Sequence, residues 1–295
     1  MANPPSVMVP ATRRAVVLWV GAMGLMAVLV AAILLRAAWY SRSIAVTDIE
    51  HVHGLAVDPQ DPRVLWIGTH AGLVRVVEGR EWTRVGRARY DMMGFTIVPG
   101  PRPIMLTSGH GGPTDRRPEP LGLEWSRNGG RTWQTMALAA EADFHAVAVA
   151  PRDPAVLYGW SVAGLYRSRT GGRRWDFLGD PGLGDVYDLA VSSRNSAVVL
   201  AGTSRGLQVS ADAGQNWRSM NIGPNRATVT AVAINRINPR VIYAYATAPA
   251  LGLVRSNDGG ATWVSLGFYL GDQDAASNLA LDPARPGVLY LATYR

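Results

Sequence analysis

Five histidines carry most of the chemistry open to this chain: His51, His53, His70, His110 and His145. Imidazole is the commonest side-chain metal ligand, and a carboxylate nearby can ligate beside it or orient it. Among 295 residues there is no cysteine, which removes thiolate catalysis, disulfides and Cys-based zinc sites together. A set built from imidazoles and carboxylates points to a divalent transition ion, copper, zinc or nickel. Other catalytic signatures are absent. The chain has no Gly-rich phosphate loop and no His-Glu-x-x-His.

These histidines span almost a hundred positions, so the fold must gather them. Internal repetition shows how. Four segments align without gaps: Ser126-Arg-Asn-Gly-Gly-Arg-Thr-Trp133, Ser168-Arg-Thr-Gly-Gly-Arg-Arg-Trp175, Ser210-Ala-Asp-Ala-Gly-Gln-Asn-Trp217 and Ser256-Asn-Asp-Gly-Gly-Ala-Thr-Trp263. Trp82 marks a degenerate fifth copy, and the tryptophans follow at spacings of 51, 42, 42 and 46, the period of a four-stranded propeller blade. Asp or Asn closes such a turn on its own backbone and Gly accepts positive φ, while the Trp is expected to pack beside the next blade. Only the copy at Asp258 is complete. Thr170 replaces the acid in one copy, and the blades with degraded motifs are expected to rely on packing.

The pattern Ser-x-Asp-x-Gly-x-Thr-Trp resembles the Asp box of sialidase-like BNR propellers, and the resemblance covers residues 51–295. It implies an all-β fold, a β-propeller. Apolar runs joined by Pro-containing turns, such as His53–Val57 with Val64–Gly68, read as inner strand pairs. They place blade starts near residues 51, 91, 143, 185, 228 and 275 and so predict six four-stranded blades. The last has only two strands of sequence, and residues 44–49 are expected to supply a missing strand and close the ring.

Aligned on the repeats, His53 and His145 occupy one position, where the other blades have Met93, Tyr187, Thr230 and Ser277. His51 shares its position with Asp91, Asp143 and Asp185. His70 and His110 share a third, at the end of the second strand. Strands alternate in direction within a blade, so the start of strand one and the end of strand two fall on one face. All five imidazoles, with Asp91, Asp143 and Met93, are expected around one sector of the channel mouth, opposite the Ser-to-Trp turns. The candidate cofactor is copper or zinc, Met93 adding a soft ligand for copper. The same residues also fit a wet channel mouth or ligand cleft.

The resemblance implies two further readings. Propellers of this kind are often labelled glycosyl hydrolases, yet sialidases hold their substrate with three arginines at the mouth, and these positions carry no Arg. Tyr187 and an acid at Asp91, Asp143 or Asp185 remain for another glycan hydrolase. The chain also resembles photosystem assembly-factor and, more distantly, sortilin-type propellers, which bind proteins or peptides. The sequence therefore favours a non-catalytic binding protein for a metal ion, glycan or protein ligand, with a glycoside hydrolase or a scaffold as alternatives. The insertion from Gly109 to Leu123 follows His110 directly and should overhang the same face.

The N-terminal region sets location. Residues 15–35 are uninterruptedly apolar between Arg13-Arg14 and Arg36, and at ~1.5 Å per residue they span about 31 Å, close to a bilayer core. This length exceeds a secretory signal's apolar region and reads as a retained single-span anchor. The expected organisation is a cytoplasmic tail (1–14), a transmembrane helix (15–35), a linker with a closing strand (36–50) and an extracytoplasmic propeller (51–295) on the cell membrane. The net charge is +7 and every cationic side chain is Arg. These arginines are scattered rather than clustered, which argues against nucleic acid as a partner.

Overall fold

The computed structural model describes residues 44–45, 51–87, 89–112, 115–223, 227–271, 274–285 and 287–294. They belong to one compact unit, Ser43–Arg295. The expected tail and membrane helix, residues 1–35, and most of the linker lie outside the described residues. Among those described, no helix is long and apolar enough to cross a membrane.

The fold is an all-β propeller. Five sheets each contain four strands in meander order, beginning at Val52, Asp91, Ala146, Val186 and Val229, and the first of them has a fifth strand added. A sixth sheet has two, Ala275–Leu281 and Leu289–Tyr294. Among the described residues there are thus five four-stranded blades and not six. Innermost strands stand side by side around the ring, and Ala275–Leu281 touches both Val229–Ile234 and Val52–Val57. The expected closing strand also goes elsewhere. Ile44–Ala45 pairs antiparallel with the outer strand of the first blade, Ile44 opposite Arg84 and Ala45 opposite Thr83. That outer strand offers a row of unpaired backbone groups, which an extended segment satisfies.

The hairpins between strands one and two turn on polar side chains that accept backbone N–H groups. Asp58 Oδ1 accepts from Gln60 and Asp61, Asn235 Oδ1 from Ile237 and Asn238, and Asp282 Oδ1 from Ala284 and Arg285. At the outer end of four blades the Ser-to-Trp turn repeats one network. In the last copy Ser256 Oγ accepts from Gly260 N at 2.8 Å, Asp258 Oδ1 from Thr262 N at 2.9 Å, and Trp263 Nε1 donates to Gly260 O at 3.2 Å. The degenerate copy behaves alike, since Thr170 Oγ1 accepts from Arg174 N at 2.8 Å and Trp175 Nε1 donates to Gly172 O. The hydroxyl does the carboxylate's work, and that turn does not depend on packing alone.

The core lies between blades. Trp263 packs with Met220, Val254 and Leu207, and Trp217 with Tyr158 and Leu165. Each indole therefore faces the preceding blade rather than the next one. The second glycine of the turn allows this approach: a Cβ on Gly172 would stand 2.7 Å from Leu123 of the preceding blade.

A histidine and carboxylate cluster at the channel mouth

Local backbone irregularity presents the site residues. The innermost strand breaks register with its neighbour between Val52 and Gly54, Val186 and Asp188, Val229 and Ala231, and Ala276 and Asn278. A bulge leaves one residue out of the ladder and re-aims its side chain. The residues left out are His53, Tyr187, Thr230 and Ser277. With Met93 and His145 they complete a ring of one residue per sheet around a cavity of about 250 Å³. The repeat position read from the sequence is therefore the wall of the channel mouth.

Strand register places the Ser-to-Trp turns at the other end. In the third blade Ala146 pairs with Trp160 beside the mouth, while Val149 pairs with Leu157 and Leu157 with Ser168, where the turn begins. The imidazoles and the turns occupy opposite strand ends, as expected.

Two groups of histidines form, each around one aspartate. In the first, His70 Nδ1 lies 2.8 Å from Asp91 Oδ2, and His53 Nε2 lies 3.0 Å from His70 Nε2 and 3.8 Å from Asp91 Oδ1. A carboxylate only accepts, so His70 carries its proton on Nδ1 and turns a lone pair at Nε2 toward His53. His53, His70 and Asp91 each offer a ligand atom, all within 4.8 Å of one another. Asp91 Oδ1 is buried and lacks a hydrogen-bond partner. His51 stacks alongside, its ring centroid 5.2 Å from that of His70 and 6.4 Å from that of His53. Its φ of 34° is a left-handed value that a non-glycine residue adopts at a cost.

The second group is bridged by Asp143. Its Oδ2 lies 2.9 Å from His110 Nε2 and 3.1 Å from His145 Nε2. Ser108 Oγ stands 3.5 Å from the other carboxyl oxygen and accepts from Phe144 N. Phe144 is fully buried and anchors the segment between Asp143 and His145. Both groups meet in the second blade, where Asp91 pairs with His110 across adjacent strands. Gly109 makes this pairing tight, since a Cβ there would lie 1.9 Å from Asp91 O.

The two groups differ electrostatically. Burial lowers the His53 pKa, and the charges of His70, His51 and His145 add to that effect against the pull of Asp91. His145 moves the other way, raised by its hydrogen bond to Asp143. Burial alone would raise Asp143, but His145 and His110 outweigh it and the net shift is down. His53 thus favours the neutral imidazole, which can ligate, whereas Asp143 and His145 favour a carboxylate and imidazolium pair.

All five histidines, Asp91, Asp143 and Met93 are brought to one mouth; Met93 forms its wall without joining either carboxylate group. Asp185, which shares the repeat position of Asp91, belongs to neither. Sequence reasoning missed three contributors. Glu119 Oε2 reaches from the insertion to 3.6 Å from His110 Nδ1. Arg117 pins that loop by binding Asp115 and the buried Glu124. Asn278 lines the cavity at a repeat position held elsewhere by Gly54, Gly94, Ala146, Asp188 and Ala231. Two polar residues, Asp188 and Asn278, in a column otherwise of Gly and Ala were the available signal.

No protein-family model and no curated protein match the sequence. Solved structures do resemble the fold. An ancestral GH74 enzyme superposes with a TM-score of 0.56 at 16% identity, covering 84% of this chain and 35% of that one. YCF48 bound to a D1 peptide gives 0.52 at 14%, covering 81% and 89%. The nidogen/laminin complex gives 0.53 at 13%, covering 69% and 74%. The chain spans about a third of the first enzyme's length. Identities this low establish the propeller fold alone.

Proposed function

We propose that this protein is a non-catalytic binding protein whose channel mouth holds a divalent transition-metal ion through His53 and His70, with Asp91 orienting the His70 ring from behind. The carrying observation is the pair of facing Nε2 atoms 3.0 Å apart, with a carboxylate behind one ring. Nitrogens bound ~2.0–2.1 Å from one ion and separated by that distance subtend about 94°. That suits the near-right angles of tetragonal copper(II), whereas tetrahedral zinc needs the pair to open by about 0.3 Å. Asp91 Oδ2 fixes the His70 tautomer, as carboxylates behind metal-bound imidazoles commonly do. Asp91 stands on the Nδ1 side of the His70 ring, so it supports the pair from behind and does not ligate the same ion.

The test is titration of the purified protein with copper(II) and zinc(II) by calorimetry, with electron paramagnetic resonance for copper. The wild type should bind one copper ion with a nitrogen-ligand signature. His70→Ala should lose at least a hundredfold in affinity and His110→Ala less than fivefold. Equal losses in both variants, or no binding by the wild type, would overturn the reading.

The neighbours support a second, scaffold reading, since YCF48 is seen with a D1 peptide and nidogen with laminin. A glycoside hydrolase of the GH74 kind draws on the enzyme neighbours, but both mouth carboxylates, Asp91 and Asp143, are engaged by histidines. Turnover of fluorogenic glycosides would bring that reading back. The apolar segment 15–35 supports attachment to the cell membrane with the propeller on the extracytoplasmic side. Membrane fractionation with and without residues 1–40, followed by protease protection, tests the anchor and its orientation.

A further inference from the structure

The arginines are scattered along the sequence, but four of them meet between the first and second blades. Arg87, Arg89, Arg117 and Arg131 line a groove of about 480 Å³. Three segments are pressed together to form it. The link from the first blade to the second lies against the Ser-to-Trp turn of the second, since a Cβ on Gly86 would stand 2.8 Å from Arg131 O. Gly86 itself has a φ of 70°, a left-handed value that suits glycine. The root of the insertion lies against the same link, since a Cβ on Gly112 would stand 2.2 Å from Arg89 O.

The groove is cationic. Among the described residues that line it the one carboxylate is Asp115, which Arg117 Nη2 binds at 2.6 Å, and Arg117 also binds the buried Glu124. Arg117 is therefore neutralised from within. Arg87, Arg89 and Arg131 are exposed, and Arg131 Nη1 donates to the carbonyl of Asn128, a bond that leaves its charge in place. Arg84 adds to the field: burial lowers the Arg89 pKa, and the charge of Arg84 pushes it the same way. Crowded like charges repel, and a surface of anions relieves that repulsion. Guanidinium groups suit phosphate in particular, because their planar fork bonds two of its oxygens at once.

The path of the chain says which anions these are. Ile44 pairs with Arg84 and Ala45 with Thr83, on the strand Glu81–Val85 that runs directly into Gly86 and Arg87. Before Ile44 the sequence reads Arg36-Ala-Ala-Trp-Tyr-Ser-Arg-Ser43, and the apolar run ends at Leu35. Trp39 and Tyr40 are residue types that favour the boundary between lipid and water. The four residues from Tyr40 to Ile44 reach at most about 14 Å when fully extended. On the anchor reading, the strand that leads into the groove is therefore tied close to the bilayer surface. We infer that this groove docks on the membrane in which the chain is anchored, its arginines bonding the phosphates of anionic lipid headgroups. The inference rests on the anchor reading above. An arginine near an anionic surface strengthens binding by about fivefold, so Arg87, Arg89 and Arg131 together contribute on the order of a hundredfold.

The experiment reconstitutes the full-length protein into vesicles of phosphatidylcholine, or of phosphatidylcholine and phosphatidylglycerol in equal parts. The chain has no cysteine, so Gln134→Cys, next to the groove residue Trp133, gives a unique site for a fluorophore. Val264→Cys labels the same repeat position on the fifth blade, and both sites are exposed. Quenching by lipid carrying a spin label on its headgroup is the readout. The label at Gln134→Cys should be quenched at least threefold more with phosphatidylglycerol than without it, and at least threefold more than the label at Val264→Cys. Arg87→Gln, Arg89→Gln and Arg131→Gln combined, or salt at about 0.5 M, should return quenching to the neutral-lipid level. Quenching that ignores phosphatidylglycerol or survives the three substitutions would overturn the inference. Release of the groove by inorganic phosphate at matched ionic strength would also overturn it, marking a site for a small free anion. Flotation with neutral vesicles in high salt reads the anchor separately. Protein that does not float removes the anchor reading and this inference with it, whereas protein that floats with its groove unquenched removes this inference alone. Should the triple variant not fold, the salt and lipid contrasts with the arginines in place decide.

Discussion

At the scale of single residues, the mouth is governed by which atom of each ring carries a proton. Asp91 Oδ2 accepts from His70 Nδ1–H and leaves His70 Nε2 beside His53 Nε2. Asp143 instead receives the Nε2 atoms of His110 and His145 on one oxygen, so neither of those nitrogens faces another ring. Two His and Asp combinations of the same composition thus have different chemistry. The proposal makes Asp91 the group that orients the His70 ring. Asp91→Asn keeps its size and removes its charge, and copper affinity should fall by a factor of at least about ten. A change below threefold in calorimetry would remove Asp91 from the metal site. His51, His53 and His70 were legible in the sequence as candidates, and so was the repeat position shared by His70 and His110. The sequence did not show which nitrogen faces which neighbour, because that depends on ring orientation and on hydrogen bonds across strands.

At the scale of elements, bulges and close backbone approaches create the mouth. A regular ladder would alternate side chains between blade faces, and the bulged residue escapes that alternation to face the channel. Gly54 shows how tightly this is built. A Cβ at that position would stand 2.5 Å from Phe95 Cβ of the second blade. Gly54→Ala should therefore force the first two blades apart beside His53, costing about 1–3 kcal/mol in urea unfolding and weakening copper binding together. Unchanged stability would show that the strand yields without moving the site. Thr170 carries a related lesson. The sequence marks it as a lost acid, but a turn that needs one acceptor for one N–H is satisfied by a hydroxyl.

At the scale of the molecule, the ring is held by contacts between blades, and one of them is titratable. Asp188, on the innermost strand of the fourth blade, accepts from Leu189 N at 2.8 Å and from Val232 N of the fifth blade at 2.9 Å. The residue keeps some exposure, but its carboxyl is enclosed, and burial pushes its pKa up to about 7. The folded protein therefore retains a proton that the unfolded chain releases near pH 4. Folding takes up a proton between those values, so this group's contribution makes stability fall as pH rises from about 4 to about 7 and stay level above. The swing is on the order of 4 kcal/mol. Asp188→Asn should flatten it, so that the variant and wild type differ more at pH 8 than at pH 5 in urea unfolding. An identical pH dependence in both would place the buried proton elsewhere. The count of complete blades also belongs to this scale. Repeats predicted six, whereas the last sheet has two strands and Ile44–Ala45 joins the first blade instead.

The order of residues was enough to determine the propeller, the direction of each strand and the rim on which each histidine stands, because a repeated unit of alternating strands leaves little freedom in those respects. Pairing at the ring's seam, the direction in which each indole packs and the division of five imidazoles between two aspartates required three dimensions. They arise where different blades touch, and a one-dimensional period describes a blade but not its contact with a neighbour.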